Sequence, residues 1–177
     1  YGPELLQAMN LPPDRVLEWD HTGRRVMVER ISAMQADLGV SVMFGYLLRR
    51  EILSLFPRGC INLHTSLLPH NRGAHPNVWS IVEQSPAGVT LHYMDEGVDS
   101  GDIIAQQAVP VEAIDTGKTL YQKLEKAGLL LFQGTWPLIR SGQAPRQKQE
   151  LERGSIHRVS DAETLERIDP DQHYRAL

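Results

Sequence analysis

The stretch from Gly59 to Gly73 reads GCINLHTSLLPHNRG and decides how the chain is interpreted. Its first part, Cys60 to His64, has the apolar character of a buried β-strand, and the remainder is a loop containing Pro, Asn and Gly. Asn62 and His64 are two residues apart, so on a strand their side chains point to the same face. We therefore predict a strand that presents an amide and an imidazole together near its end.

A second unusual loop, MDEGVDSGD from Met94 to Asp102, lies between two apolar runs. Its four carboxylates are Asp95, Glu96, Asp99 and Asp102. Their spacing does not fit the D-x-D-x-D-G pattern of a calcium-binding loop. If both loops follow strands of one sheet, they can face a common cleft. Asp99 is then the best candidate to hold His64 and raise its pKa.

Spacing alone leaves two interpretations of these side chains. In the first, Asn62 and His64 complete backbone hydrogen bonds at a strand end, and the acidic loop is a solvated turn. In the second, the amide stabilises a developing oxyanion, and the imidazole, whose pKa is near neutrality, moves a proton. The second arrangement would suit acyl-transfer chemistry.

Other kinds of site fit the sequence poorly. The histidines do not have a familiar zinc-binding spacing, so no metal is expected; they are His64, His70, His75 and His92. Ser66 is not part of a G-x-S-x-G turn, which argues against a serine hydrolase. Neither a G-x-G-x-x-G nor a P-loop motif is present, so nothing indicates a dinucleotide or ATP site.

The chain has 177 residues, 41% of them hydrophobic and 23% charged, as expected of one globular domain, or of one domain plus a tail. Its net charge of -4 argues against a broad nucleic-acid surface, although a local basic patch would be compatible with it. The single Cys60 cannot form an internal disulfide and is expected to be buried. No apolar run reaches the ~20 residues of a membrane span, and no signal peptide is visible. We expect a cytoplasmic protein without a membrane partner.

Strands and helices alternate along the chain, which predicts an α/β fold with a mostly parallel, twisted sheet and helices on both faces. The predicted strands are Arg15–Trp19, Val40–Phe44, Cys60–His64, Val89–Met94 and Ile103–Val111. The predicted helices are Pro3–Asn10, Met27–Leu38, Arg49–Phe56, one opening at Pro76, and a long one after Thr116 that Pro137 ends or kinks. Residues 1–141 are predicted to be a catalytic domain and 142–177 a linker or C-terminal extension. Both ends of the chain are expected to be cut.

These segments resemble the 10-formyltetrahydrofolate-dependent formyltransferase family. INLHTSLLPHNRGAHP is similar to the N-x-H…SLLP signature of that family, and GVTLHYMDEGVDSGDIIAQ is similar to its second signature. FGYLL, at Phe44 to Leu48, resembles the segment that lines the folate pocket in relatives. The resemblance extends from about Val40 to about Ile139 and implies a Rossmann-like formyltransferase fold. The usual first βαβ unit would be missing or incomplete here.

The resemblance implies transfer of a formyl group from 10-formyltetrahydrofolate to a primary amine, by direct attack through a tetrahedral intermediate and without a metal. Asn62 would bind the formyl oxygen, and His64 would assist proton transfer and stabilise the oxyanion. Asp99 would orient His64 and order a water. Folate would lie against the following residues: Phe44, Gly45, Tyr46, Leu47, Leu48, Met94, Asp95, Glu96, Gly97 and Val98.

The acceptor is implied less directly. RGAHPNVWSI, which follows SLLP, is similar to the branch that contains methionyl-tRNA and nucleotide-sugar formyltransferases. Arg72 and Gly73 would then contact the acceptor, with Arg72 near a phosphate. An amino-sugar nucleotide is the first expectation; methionyl-tRNA and glycinamide ribonucleotide are the alternatives. A folate-binding regulatory module without turnover is the non-enzyme alternative, and a homodimer is left open.

Overall fold

The computed structural model describes residues 2–18, 23–42, 44–161 and 163–165. The α-helices are α1 (Gly2–Met9), α2 (Arg24–Met34), α3 (Arg50–Leu53), α4 (Pro76–Val82) and α5 (Gly117–Ser141). The strands are β1 (Gly39–Ser41), β2 (Cys60–His64), β3 (Arg72–Gly73), β4 (Gly88–Tyr93), β5 (Ile103–Ala108) and β6 (Ile156–His157). Short 3-10 turns occur at Pro13–Arg15, Leu151–Arg153 and Val159–Asp161.

The main sheet has the strand order β1-β2-β4-β5, and a second, two-stranded sheet joins β3 to β6. Strands β1 and β2 are parallel, whereas β2–β4 and β4–β5 are antiparallel. The predicted α/β class and Rossmann-like fold are confirmed. Among the described strands, however, antiparallel pairing is more frequent than the alternation of strands and helices predicts. One cause is the acidic loop, which is too short for the crossover that a parallel β4–β5 pair would need.

Helices cover both faces of the sheet. Alternate residues of β2 point to opposite faces and therefore pack in different clusters. Ile61 and Leu63 belong to the main core, together with Leu120 and Leu124 of α5. Cys60 points the other way and packs against α3 in a smaller cluster. The expected burial of its thiol is therefore confirmed. No helix in the described part of the chain is long and apolar enough to cross a membrane.

Several predicted elements differ from those observed. The strand predicted at Arg15–Trp19 is wrong in its described part, because Pro13 opens a 3-10 turn and residues 16–18 have no regular structure. Trp19 lies outside the described residues. The strand predicted at Val40–Phe44 is instead the three-residue β1. Pro137 does not end α5, which continues to Ser141 and is capped by Gly142 in the left-handed conformation.

The boundaries of other elements are shifted. Helix α2 ends at Met34 rather than near Leu38, and α3 spans four residues rather than Arg49–Phe56. Strand β4 starts one residue earlier and ends one residue earlier than predicted, and β5 ends at Ala108. Strand β2 has the predicted bounds. Element ends are the least certain part of a sequence-based assignment because short helices and strand ends depend on tertiary contacts.

The polar segment after α5 returns to the domain that precedes it. The backbone of Gln147 pairs with Ile103 of β5, and β6 pairs in parallel with β3. A Cβ on Gly154 would overlap the carbonyl group of Pro69, so the segment passes very close to the loop after β2. We call residues 147–157 the strap. Of the predicted extension 142–177, residue 162 and residues 166–177 lie outside the described part.

Candidate active site

The register of the sheet determines which side chains share the face of β2 that carries Asn62 and His64. The antiparallel pairing places Asn62 opposite His92 and His64 opposite Thr90. The Nδ2 atom of Asn62 lies 3.3 Å from Nε2 of His92. The rings of His64 and His92 meet edge to face, with centroids 6.4 Å apart. Both imidazoles are buried, so the end of this sheet holds two histidines and an amide close together.

Asp99, in the loop between β4 and β5, places its carboxylate between these two imidazoles. Its Oδ2 lies 3.6 Å from Nδ1 of His64, and its Oδ1 lies 3.5 Å from Nε2 of His92. The backbone N–H of Gly73 donates to Oδ2 at 2.9 Å. The structure therefore brings together Asn62, His64 and Asp99, as the sequence predicted.

The second nitrogen of His64 faces the loop that follows β2. Nε2 of His64 lies 3.2 Å from the carbonyl oxygen of Asn71. Asn71 is completely buried, and its side-chain amide donates to the hydroxyls of Ser80 and Ser85. Each ring nitrogen of His64 therefore faces an oxygen acceptor. A charged imidazole would find a partner for both of its N–H groups in this position.

Burial and charge act in opposite directions on these groups. Burial lowers the pKa of His64, although the Asp99 carboxylate partly opposes this effect. Burial alone would raise the pKa of Asp99, but the charge of His64 and the hydrogen bonds from His92 and Gly73 hold that pKa well below its usual range. At neutral pH the pair is thus an ionised carboxylate beside a neutral imidazole. Such an imidazole can accept a proton, and the carboxylate would stabilise the resulting cation.

The residues predicted to line a folate slot fall into two groups. Phe44, Leu48 and Met94 share one apolar cluster with Ile52 and Cys60, on the same face of β2 as the catalytic candidates. Tyr46 and Leu47 are the exposed members, and the Tyr46 ring stands edge-on to Phe44 with centroids 5.4 Å apart. A Cβ on Gly45 would meet open space. This side of the site therefore has an apolar wall with accessible ring and aliphatic surfaces.

The acidic loop forms the second group. Asp95 accepts hydrogen bonds from Gly97 N at 3.0 Å and Ser100 Oγ at 2.7 Å, so its carboxylate closes the turn. Glu96 and Gly97 are exposed, and Val98 is half-buried. The loop thus has a defined conformation, while its outer backbone remains open to a ligand.

The two residues predicted to contact the acceptor form β3. Gly73 has a φ of 91°, and a Cβ there would overlap the carbonyl oxygen of His157. Glycine is therefore required by the backbone at this position, where its N–H holds Asp99. The Nε of Arg72 is buried and has no hydrogen-bond partner among the described residues. Arg72 thus carries a donor that the described residues leave unsatisfied.

Sequence reasoning missed three residues at this site. The sequence suggests His92 only as a possible metal ligand, and its place in this site becomes visible only through the β2–β4 register. The carbonyl of Asn71 contacts His64, a backbone contact for which the sequence carries no signal. Gln149 comes from the strap and donates to two carbonyls of the acidic loop, although it lies 50 residues after Asp99.

We predict that metal chelation would leave the expected formyl-transfer activity unchanged. No group of three or more His, Cys, Asp or Glu side chains among the described residues could hold a metal ion. The two buried imidazoles are instead occupied by Asp99, Asn62 and backbone carbonyls. The measurement is the initial rate before and after dialysis against EDTA. A large loss that zinc restores would contradict this prediction.

Comparison with known proteins agrees with the resemblance seen in the sequence. Residues 7–133 match the sequence model of the formyl transferase family. Methionyl-tRNA formyltransferase from Halothermothrix orenii is 40% identical over 142 residues, which are 80% of this chain and 45% of that protein. The chain therefore spans about half the length of the curated relatives it matches.

Solved structures of two kinds are similar to this chain. Formyltransferase PseJ from Anoxybacillus kamchatkensis, in complex with UDP-4,6-dideoxy-4-formamido-L-AltNAc and tetrahydrofolate, superposes with a TM-score of 0.75 and 34% identity. That match covers 90% of this chain and 80% of PseJ. Phosphoribosylglycinamide formyltransferase from Bacillus halodurans has a TM-score of 0.60 and 34% identity, over 66% of this chain and 60% of that one. The match to the family model spans β2, the acidic loop and most of α5, and the protein belongs to the formyl transferase family.

Proposed function

We propose that this protein transfers a formyl group from 10-formyltetrahydrofolate to a primary amine. The observation that carries the proposal is the convergence of Asn62, His64 and Asp99, with the Asp99 carboxylate 3.6 Å from the His64 ring. An amide donor, a neutral imidazole and a carboxylate are the groups that acyl transfer to an amine requires. Membership of the formyl transferase family supports the same assignment.

In the proposed reaction the acceptor amine attacks the formyl carbon directly. The formyl oxygen becomes an oxyanion, and the Nδ2 group of Asn62, which carries two hydrogens, donates to it. His64 accepts the proton that the amine loses, and Asp99 stabilises the imidazolium. The bond between the formyl carbon and N10 of the folate then breaks, and His64 returns the proton to N10. Tetrahydrofolate and a formamide are the products.

Folate is proposed to lie between the Phe44–Leu48 segment and the backbone of Met94–Val98. The first segment offers apolar and aromatic surface and the second offers backbone polar groups, a combination that suits a flat ring with polar edges. Similar proteins support this choice of co-substrate. PseJ was solved with tetrahydrofolate, and the sugar 3N-formyl transferase WlaRD, 27% identical to this chain, was solved with 5-N-formyl-THF.

For the acceptor we propose an amino-sugar nucleotide. The match to PseJ covers most of both chains, and PseJ was crystallised with a UDP-linked formamido sugar. The guanidinium of Arg72, on β3 beside Gly73, suits a diphosphate, and the net charge of -4 does not favour a broad tRNA surface. Methionyl-tRNA is the second candidate because the methionyl-tRNA formyltransferases reach 40% identity.

The test is a panel in which 10-formyltetrahydrofolate is offered with UDP- and dTDP-linked amino sugars, methionyl-tRNA and glycinamide ribonucleotide. We expect the largest kcat/KM for an amino-sugar nucleotide, measured as formylated product by mass spectrometry. Product with methionyl-tRNA alone would overturn the acceptor assignment and leave formyl transfer intact. Folate binding without product from any acceptor would favour the regulatory module.

A further inference from the structure

The strap contacts the acidic loop at its catalytic residue. The side-chain Nε2 of Gln149 donates to the carbonyl oxygen of Asp99 at 2.9 Å and to that of Gly101 at 2.6 Å. Both partners are acceptors, so the amide nitrogen must be the atom that faces them. The Oε1 atom of Gln149 is buried and has no partner among the described residues. The contribution of this side chain to the loop is therefore its two donated hydrogen bonds.

The same strap contacts the other partner of His64. The N–H of Asn71 donates to Oγ of Ser155 at 3.0 Å, and that hydroxyl donates to Oδ1 of Asn71 at 3.0 Å. These two bonds fix both the backbone and the side chain of Asn71. Its carbonyl oxygen is the atom that lies 3.2 Å from Nε2 of His64.

We propose that Gln149 and Ser155 are positioning residues that hold Asp99 and Asn71 in place and thereby keep His64 between two oxygen acceptors. The inference rests on the proposed function, in which His64 moves the proton. The strap is thereby connected to both sides of the His64 imidazole, through Asp99 on one side and Asn71 on the other. The predicted linker is thus part of the catalytic architecture.

Both anchored residues adopt the left-handed backbone conformation. Asp99 and Asn71 have φ angles of 47° and 53°, a region that Asp and Asn tolerate better than most other non-glycine residues. Hydrogen bonds from the surroundings help to hold this conformation. Gln149 supplies two of the bonds that fix the Asp99 loop, and Ser155 supplies two of the bonds that fix Asn71.

The titration of His64 reports on this arrangement. The groups that face its ring are the Asp99 carboxylate from the acidic loop, His92 from β4 and the Asn71 carbonyl from the loop after β2. Asp99 and the Asn71 carbonyl favour the charged ring, whereas burial and His92 oppose it. Movement of Asp99 or Asn71 away from the ring would therefore shift the titration of His64 to lower pH.

The test compares Gln149→Met, Ser155→Ala and the double variant with the wild-type protein. Met keeps the shape of Gln149 without its donor. The control is Gln147→Met, because the Gln147 side chain is exposed and its bonds to Ile103 involve only the backbone. The measurements are kcat and KM for formyl transfer and the NMR titration of the His64 imidazole.

We expect kcat to fall by about 10- to 100-fold in each single variant, as for other losses of catalytic alignment, with KM for the folate within about twofold. The His64 titration should move to lower pH in both variants and remain unchanged in Gln147→Met. Ser155→Thr, which retains the hydroxyl, should restore both quantities. A structural role alone would lower the unfolding temperature without moving the titration.

Wild-type kcat and titration in a folded Gln149→Met protein would overturn the role of Gln149. If that variant does not fold, the Ser155→Ala and Ser155→Thr pair decides, because an unchanged titration in both would overturn the proposal. A wild-type protein that transfers no formyl group would refute the proposed function instead. The titration would still show whether the strap positions His64, so the two failures can be told apart.

Discussion

Replacing His64 by alanine is expected to lower kcat for formyl transfer by about 10²- to 10⁴-fold, the range that a positioned acid–base group contributes. The ring shares the face of β2 that carries Asn62, and its charged form is stabilised by Asp99. KM for the folate should change little because the proposed slot is formed by other segments. The measurement is steady-state kinetics with the best acceptor from the panel.

His70→Ala is the matched control. His70 lies in the loop that follows β2, is half-buried and is not among the residues that meet at the site. The control should retain wild-type kcat. The His64→Ala protein must also unfold at a temperature near that of the wild type, so that lost activity reflects lost chemistry. A folded His64→Ala variant with a wild-type rate would refute the role assigned to the imidazole.

The pH profile gives a further check on His64. Because burial lowers its pKa, the imidazole stays neutral below the ordinary value of about 6.5 and loses activity only as the pH falls further. The acidic limb of kcat/KM should therefore have its midpoint below about 6.5. This limb should be absent from the residual activity of His64→Ala.

The local pattern around β2 was sufficient to predict that Asn62 and His64 lie together on one face of a strand. Residues two apart on a strand share a face, so Asn62 and His64 could be paired before any tertiary information was available. The bounds of β2 were also predictable, because Gly59 precedes the strand and a loop containing Pro, Asn and Gly follows it. The place of Asp99 in the acidic loop favours it as the partner of His64, and the structure brings the two side chains together.

The remaining contacts depend on long-range pairing that no local pattern encodes. His92 reaches the site because β4 pairs antiparallel with β2 in one particular register, and a shift of one residue would turn it to the other face. Gln149 and Ser155 come from a polar segment with no hydrophobic periodicity, which the sequence indicates only as a linker. Their partners are largely backbone groups, and backbone acceptors are the same in every sequence.

Replacing Asp99 by asparagine is expected to lower kcat by about 10²-fold or more, because the imidazolium formed in the reaction loses its counter-charge. Asparagine tolerates the left-handed conformation that this residue adopts, and its side-chain oxygen can still accept from Gly73 N. The substitution therefore removes the charge while preserving the backbone. Asp99→Ala should lose at least as much activity, since alanine also disfavours the positive φ.

Two pH-dependent measurements separate this role from a purely structural one. Without the carboxylate the pKa of His64 should fall further, so its NMR titration should move to lower pH in Asp99→Asn. In the wild type the pKa of Asp99 is held below its unfolded value, so ionised Asp99 stabilises the fold above about pH 4, and this contribution is lost as the pH falls. Asp99→Asn should thus show a smaller loss of unfolding temperature on acidification. An unchanged His64 titration together with a wild-type kcat would mean that the carboxylate does not act on the imidazole, and the proton-transfer pair would have to be sought elsewhere.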